Sequence, residues 1–346
     1  MSHEPRAVSW TGTALSLLDQ TALPRTVRRL DVRDVDTLVD AIVRLAVRGA
    51  PAIGVAGAYG VALAVAQARR ENWTDRELAD AVARLRAARP TAVNLAVCVD
   101  RAAARIPEGL DAVLAEADAV VRQDLAANRA MAEAGADWLL KRVDADRPLR
   151  ILTHCNTGAL ATAGVGTALG VIRELHARGL LETVYVDETR PLLQGARLTA
   201  WELAQEGIPH RVQVDAAAAA TVVGGLVDAA IVGADRITRN GDTANKTGTL
   251  GIALACAHAG LPFMVAAPTS TLDLATAKGA SIRIEQRGEE EVLNLTAGAV
   301  TAPDGTRTRA HNPAFDVTPG TLVTALVTER GVLEVAAGEL PGDHWN

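Results

Sequence analysis

The spacing of apolar positions changes near residue 142 of the chain. Before that point most apolar residues recur at helical spacing, and after it short apolar runs alternate with helical segments. The pattern predicts helices at about 35–47, 74–88, 92–105, 109–142, 159–178, 194–206, 216–224, 247–259 and 320–329. It predicts strands at 149–153, 183–187, 209–214, 228–232 and 262–267. Repeated strand–helix units of this length predict a parallel, doubly wound α/β sheet.

A polar segment that contains a proline, at 143–148, separates the two patterns. We therefore predict two domains: a smaller, mainly helical domain with short strands at 1–144, and the parallel-sheet domain at 145–346. In the first domain, Gly54, Gly57 and Gly60 lie one turn apart in a predicted helix. We expect these glycines to let that helix pack closely against a neighbour, which is a structural role.

Composition narrows the classes of function. The net charge is -6 and aromatic residues make up 3% of the chain, so a nucleic-acid-binding surface is not expected. No apolar run is long enough to span a membrane. The cysteines are odd in number and the histidines lack metal-ligand spacing, so we expect reduced thiols, a cytoplasmic protein and no metal. Gly158, Gly164 and Gly166 do not fit a dinucleotide fingerprint, and no cofactor is predicted.

The turn after the first predicted strand of the sheet carries the strongest chemical signal. Cys155 stands there among Thr153, His154, Asn156 and Thr157. In a parallel α/β sheet such a turn lies at the carboxyl edge of the strands, where ligands bind. Polar residues crowded around one thiol favour a catalytic cysteine. A small buried structural thiol is the alternative.

A second candidate site begins the predicted helix that contains the three glycines. Pro51 suits the first turn of a helix, so the backbone N–H groups of Gly49 and Ala50 are expected to point outward beside Arg48. Backbone donors, a helix N-terminus and a guanidinium together make an anion site. A tight glycine turn between two packed helices is the alternative. Arg89 precedes a proline and is either a ligand contact or a solvated arginine.

Polar residues also follow other predicted strands. Gln194 lies after the second strand, and Asp235 lies after the fourth. Asn245 and Lys246 are predicted at the start of the helix at 247–259, where they offer a further phosphate contact. All of these groups are expected at one edge of the sheet.

Taken together, these motifs resemble the methylthioribose-1-phosphate isomerase family of methionine salvage. The resemblance extends over nearly the whole chain in matching order. It rests on the motifs at 48–51, 89–95, 153–158, 189–199, 233–237, 240–246 and 312–316. It implies a Rossmann-like catalytic domain at 145–346, a homodimer, and conversion of 5-methylthioribose 1-phosphate to 5-methylthioribulose 1-phosphate.

The resemblance also implies roles for individual residues. It places the catalytic pair on Cys155 and Asp235. The implied substrate contacts are Arg48, Gly49, Ala50, Arg89, Gln194, Asn245 and Lys246. In the expected mechanism Asp235, held in a dry apolar pocket, protonates the ring oxygen. Cys155 then moves the C2 proton to C1, with its thiolate favoured by the N-terminus of the following helix.

Three alternatives remain open from the sequence. A direct hydride shift from C2 to C1 competes with proton transfer. The substrate of a same-fold isomerase could instead be 5-deoxyribose 1-phosphate or ribose 1,5-bisphosphate. A non-catalytic role is the third, because regulatory subunits of the eukaryotic translation-initiation exchange factor share the fold.

Overall fold

The computed structural model describes residues 6–89, 93–294 and 307–345. The chain forms two compact units, each discontinuous in sequence. Unit 1 contains residues 1–133 and 156–173, and unit 2 contains residues 134–155 and 174–346. This division differs from the predicted boundary after residue 144. The packing of the chain divides one long helix between the two units and assigns the segment after Cys155 to unit 1, which the composition of the sequence does not show.

Unit 1 combines a small antiparallel sheet with a group of helices, as its sequence pattern predicts. The sheet has the order β1-β2-β3, with β1 Val8–Trp10, β2 Leu15–Leu18 and β3 Arg29–Val32. The helices are α1 Val35–Val43, α2 Ala50–Glu71, α3 Asp75–Ala87, α4 Val93–Ala103 and α5 Leu110–Arg142. Asp34 caps α1 by accepting the N–H of Thr37, and Thr74 and Glu77 form a capping box at α3.

Helix α2 is the buried centre of unit 1. A Cβ atom on Gly54 would lie 2.9 Å from Cys98 Sγ, and one on Gly57 would lie 2.7 Å from a methyl carbon of Leu95. These glycines therefore permit the close packing of α2 on α4, as predicted. By length and hydropathy alone α2 could cross a membrane, but 83% of its most apolar window is buried inside the protein. Core helices of ordinary globular proteins meet the same criteria.

Unit 2 is built on a seven-stranded sheet, and the predicted parallel α/β architecture is confirmed. Its strands are β4 Leu149–Thr153, β5 Leu181–Asp187, β6 His210–Gln213, β7 Ala229–Val232, β10 Phe263–Ala266, β13 Ala325–Thr328 and β14 Gly331–Leu333. Their order is β14-β13-β10-β7-β4-β5-β6. Every neighbouring pair is parallel except the terminal hairpin of β13 and β14. The central strands β7 and β10 are buried throughout, as both-face-covered strands must be.

A smaller sheet follows the turn after β7. It contains β8 Arg236–Thr238, β9 Thr243–Lys246, β11 Leu272–Asp273 and β12 Phe315–Thr318, in the order β11-β8-β9-β12. The remaining helices are α6 Ala168–Ala177, α7 Ala200–Gln205, α8 Ala218–Val223, α9 Thr249–Ala259, α10 Glu290–Leu293 and α11 Pro341–His344. Helix α6 begins among the residues of unit 1 and ends among those of unit 2.

Two predicted elements are wrong. The helix expected from residue 159 begins only at Ala168. Gly166 interrupts it, because this residue adopts φ +91° and packs closely against Gly158. A Cβ atom on Gly166 would lie 2.7 Å from the Gly158 α-carbon. The helix expected at 320–329 is instead strand β13, which pairs with β10. Its β-branched Val327 and Thr328 suit a buried parallel strand, but an apolar run alone does not distinguish such a strand from a buried helix.

Candidate active site

Cys155 and Asp235 follow neighbouring strands of the main sheet. Strands β4 and β7 are parallel, with Ile151 opposite Ala229 and Leu152 opposite Ala230. In that register Asp235 comes two residues beyond the partner position of Cys155. Adjacent strands lie about 4.8 Å apart, so both residues leave the sheet at the same carboxyl edge. This is the edge at which ligands bind in open α/β sheets.

The backbone of Cys155 is held in an unusual conformation. Cys155 is buried and has φ +65°, in the left-handed region that non-glycine residues rarely occupy. Its N–H donates to Thr189 Oγ1 at 2.8 Å, and its carbonyl accepts from Thr199 Oγ1 at 2.6 Å. Thr189 and Leu193 also have positive φ angles. Such conformations persist only where surrounding contacts enforce them, and they concentrate at functional sites.

The surroundings of Cys155 differ from the prediction in one respect. No α-helix begins directly after the turn, since residues 159–161 form a single 3₁₀ turn before α6. The prediction that a helix N-terminus directly after Cys155 favours its thiolate is therefore wrong. The other two thiols are structural: burial raises the pKa of Cys98 to about 11 and that of Cys256 to about 12.

Asp235 is exposed, so the structure does not place it in the dry, apolar pocket that was predicted for it. It stands in the short turn between β7 and β8, past the buried end of β7. Its N–H donates to the carbonyl of Ala244 at 2.9 Å, which extends the pairing of β8 with β9. Asn245, the next residue of β9, is thereby brought beside Asp235.

Three predicted substrate contacts lie in the same unit. Gln194 is 4% exposed, and its Oε1 atom has no hydrogen-bond partner among the described residues. Asn245 is 3% exposed and donates to Thr249 Oγ1 at 2.9 Å. Lys246 Nζ donates to the Ala314 carbonyl at 2.8 Å and lies 4.6 Å from the centre of the Phe315 ring. A buried amide oxygen without a partner is costly, which suits a group that waits for a ligand.

The position predicted for Asn245 and Lys246 is wrong in detail. Both belong to strand β9, and α9 starts only at Thr249. The N-terminus of α9 is occupied instead by Asp316, whose carboxylate accepts the N–H groups of Gly248 and Leu250. Burial raises the pKa of Asp316 above its usual range. The phosphate contact expected at this helix start is therefore taken by a carboxylate of the protein.

The other predicted contacts lie in unit 1. Helix α2 begins at Ala50 with Pro51 in its first turn, as predicted, and within the described residues no side chain caps it. Gly49 has φ +89°, and a Cβ there would lie 2.4 Å from the carbonyl oxygen of Ala161. Arg48 donates to Asn156 Oδ1 at 2.9 Å. Arg89 is half-buried, and Pro90 and Thr91 of its motif lie outside the described residues.

Sequence reasoning assigned no role to a buried polar cluster behind Cys155. His154 and Asp187 are each 1% exposed, and His154 Nδ1 lies 3.0 Å from Asp187 Oδ2. Ligand atoms of His154, Asp187 and Asp215 lie within 4.8 Å of one another. The carboxylate of Asp215 accepts the N–H groups of Thr189 and Arg190, so hydrogen bonds already use these atoms. The signal available in the sequence was two polar residues at the ends of paired strands.

Comparison with known proteins places this arrangement in a family. Residues 46–335 match the Initiation factor 2 subunit family. A probable bifunctional methylthioribose-1-phosphate isomerase/methylthioribulose-1-phosphate dehydratase of Nocardia farcinica is 54% identical over 97% of this chain, which spans 60% of that relative's length. The methylthioribose-1-phosphate isomerase of Gloeobacter violaceus is 50% identical over 98% of this chain and 96% of its own length.

Solved structures agree with these matches. The structure of 5-methylthioribose 1-phosphate isomerase from Pyrococcus horikoshii OT3 has a TM-score of 0.85 and 39% identity, covering 96% of this chain and 93% of that one. The translation initiation factor eIF-2B subunit delta from A. fulgidus has a TM-score of 0.82 and 40% identity, covering 95% and 96%. The family match covers well over half of the chain. The chain belongs to the Initiation factor 2 subunit family.

Proposed function

We propose that the chain is an aldose–ketose isomerase that converts 5-methylthioribose 1-phosphate to 5-methylthioribulose 1-phosphate. The observation that carries the proposal is end-to-end similarity to relatives with that name, at 50% identity over 98% of this chain in one case and 51% over 95% in another. The placement of Cys155 and Asp235 at the ends of paired strands β4 and β7 is consistent with a two-residue acid–base mechanism.

The proposed chemistry needs one acid and one base that each recover their starting state. The phosphate on C1 prevents spontaneous opening of the sugar ring, so Asp235 donates a proton to the ring oxygen as its bond to C1 breaks. The Cys155 thiolate removes the C2 proton, which gives an enol phosphate, and returns that proton to C1. The C2 hydroxyl loses its proton to Asp235 as the ketone forms. Substrate covering the exposed Asp235 would favour the protonated carboxyl group.

The substrate contacts are also proposals. In unit 2 they are Gln194, Asn245 and Lys246. They are supported by the amide oxygen of Gln194, which has no hydrogen-bond partner in the described part of the chain, and by the position of Asn245 beside Asp235. In unit 1 they are Arg48, Gly49, Ala50 and Arg89, supported by the resemblance and by the uncapped start of α2. We further propose that the protein is a cytoplasmic homodimer, as the resemblance implies.

Turnover by the purified full chain tests the function. Methylthioribose 1-phosphate, 5-deoxyribose 1-phosphate and ribose 1,5-bisphosphate are compared side by side, with the first expected to have the highest kcat/KM. Cys155→Ala and Asp235→Asn should each abolish measurable turnover, whereas Cys98→Ala and Asp36→Asn should leave it unchanged. Arg48→Ala should raise KM at least about tenfold, as loss of a charged phosphate contact does.

A non-catalytic binding subunit is the second candidate, favoured by the likeness to the A. fulgidus initiation-factor subunit. The same experiment separates the two. Turnover that depends on Cys155 and Asp235 excludes a purely regulatory role. Full activity in either variant would refute the proposed mechanism, and a folded wild-type chain with no turnover on all three sugars would favour the binding subunit.

A further inference from the structure

The ring of His154 is enclosed in unit 2 with an acceptor at each nitrogen. Nδ1 lies 3.0 Å from Asp187 Oδ2, and Nε2 lies 3.0 Å from the carbonyl oxygen of Thr247. A Cβ atom on Gly248 would lie 2.8 Å from His154 Cε1, so glycine leaves the room that the ring occupies. The ring thus connects the end of β4 with the ends of β5 and β9.

Hydrogen bonds at both nitrogens fix the orientation of the His154 ring. The Thr247 carbonyl can only accept, so Nε2 donates to it. Nδ1 shares a hydrogen bond with Asp187 Oδ2. The other carboxylate oxygen of Asp187 accepts from Gln213 Nε2 at 2.8 Å, so the Asp187 side chain is itself held in place.

Two further carboxyl groups belong to the surroundings of the ring. Asp316, from β12, interacts electrostatically with His154 and caps the neighbouring helix α9. Asp215, in the segment after β6, has a carboxylate oxygen within 4.8 Å of the His154 and Asp187 ligand atoms. The ring therefore lies in a buried polar cluster contributed by several elements of unit 2.

The same contacts fix the backbone of Cys155. The N–H of Cys155 donates to Thr189 Oγ1, and that hydroxyl donates to the Asp187 carbonyl at 3.0 Å. The Asp187 side chain in turn holds the ring of His154, the residue before Cys155. Residues at the end of β5 therefore hold the turn at two points. Thr189 binds the main chain of Cys155, and Asp187 binds the side chain of His154.

From this geometry we propose that His154 is a positioning residue for the proposed isomerase reaction. Its ring ties the Cys155 turn to Asp187 and Thr247, and so maintains the left-handed backbone of Cys155 that the reaction uses. The catalytic role rests on the proposed function, but the hydrogen bonds of the ring do not. The two can therefore be tested separately.

The first test is the ¹⁵N NMR spectrum of histidine-labelled full-length protein. His154, assigned by its loss in His154→Gln, should carry a proton on Nε2, because the Thr247 carbonyl can only accept. In Asp187→Asn the amide can donate to Nδ1, so the Nε2 proton should remain. A wild-type ring without a proton on Nε2 overturns the proposal.

The second test compares Asp187→Asn, which keeps a hydrogen bond to Nδ1, with Asp187→Ala, which removes it. Asp187→Ala should lower kcat about 100-fold with KM changed less than threefold, because a misplaced catalytic group costs about this factor. Asp187→Asn should retain kcat within about threefold. If Asp187→Ala does not fold, His154→Gln, which keeps only the Thr247 bond, is expected to show the same loss of kcat.

The matched control is His210→Gln, since His210 lies on β6 of the same sheet and its Nδ1 contacts the carbonyl of Ile208, two residues away, at 2.8 Å. This variant should behave as the wild type. Unchanged kcat in folded Asp187→Ala overturns the positioning role. If the wild type has no isomerase activity, that result counts against the proposed function alone, and hydrogen exchange replaces kcat as the measurement. The Cys155 amide should then exchange about 100-fold faster in Asp187→Ala than in the wild type. Equal exchange rates overturn the positioning role.

Discussion

Thr189 provides a sharp test of how the Cys155 turn is stabilised. Its side chain is fully buried, and its hydroxyl accepts the Cys155 N–H at 2.8 Å and donates to the Asp187 carbonyl at 3.0 Å. Thr189→Ala leaves the buried Cys155 N–H unsatisfied, at about 1–3 kcal/mol, and loses a second bond worth about 1 kcal/mol. Thr189 has φ +64°, where a β-branched residue is strained, so alanine recovers part of this. The net loss should be about 2–3 kcal/mol.

Thr189→Ser is the matched control, because serine keeps the hydroxyl and removes only the methyl group. The free energy of unfolding is measured in urea by circular dichroism, and kcat is measured on the same preparations. Thr189→Ser should stay within about 1 kcal/mol of the wild type. If Thr189→Ala is as stable and as active as Thr189→Ser, the hydroxyl does not hold the turn and the reasoning fails.

Two further predictions concern acid stability and assembly. The Asp228 carboxylate accepts from Arg147 at 2.7 and 3.0 Å and from the Arg150 N–H at 2.7 Å; burial raises its pKa, but these hydrogen bonds outweigh burial and lower it. A carboxyl group whose pKa is lower in the folded than in the unfolded state stabilises the fold at pH values above its unfolded-state pKa of about 3.9. This stabilisation is lost as the pH falls through the folded-state pKa. Asp228→Asn should therefore lower the free energy of unfolding by about 1 kcal/mol at pH 7, after allowance for the partly exposed Arg147. In urea titrations the variant should lose less stability than the wild type below pH 4. An unchanged pH dependence would contradict this. For the proposed homodimer, light scattering should give twice the 36.1 kDa chain mass, and a mass of one chain at micromolar concentration would exclude it.

The parts of the fold that could be predicted are those in which local pattern and tertiary environment agree. Strand β4 ends in a polar turn, and the structure places that turn at the carboxyl edge of the sheet. The close packing of α2 on α4 could be predicted from Gly54 and Gly57, because glycines one turn apart leave one helix face without side chains.

Prediction failed where tertiary pairing decides the outcome. Residues 325–328 form a strand that pairs with the edge of β10 not covered by β7, and no local pattern reveals this partner. Asn245 and Lys246 lie in β9 because β8 and β12 pair with it on either side. Asp235 is exposed in the turn between β7 and β8, whereas the apolar residues near it in sequence suggested a pocket.

The candidate site shows the same division between residue type and environment. Sequence can nominate Cys155, since a thiol in a polar turn is unusual, but it cannot show that the residue before it is locked by partners 33 and 93 positions away. Those partners explain why the turn is polar: His154 makes the buried hydrogen bonds that hold the turn, and Cys155 is the residue proposed to react. A site that needs one reactive group in a strained conformation thus requires several buried polar groups to hold it. The crowding visible in the sequence is therefore a signature of positioning as much as of catalysis.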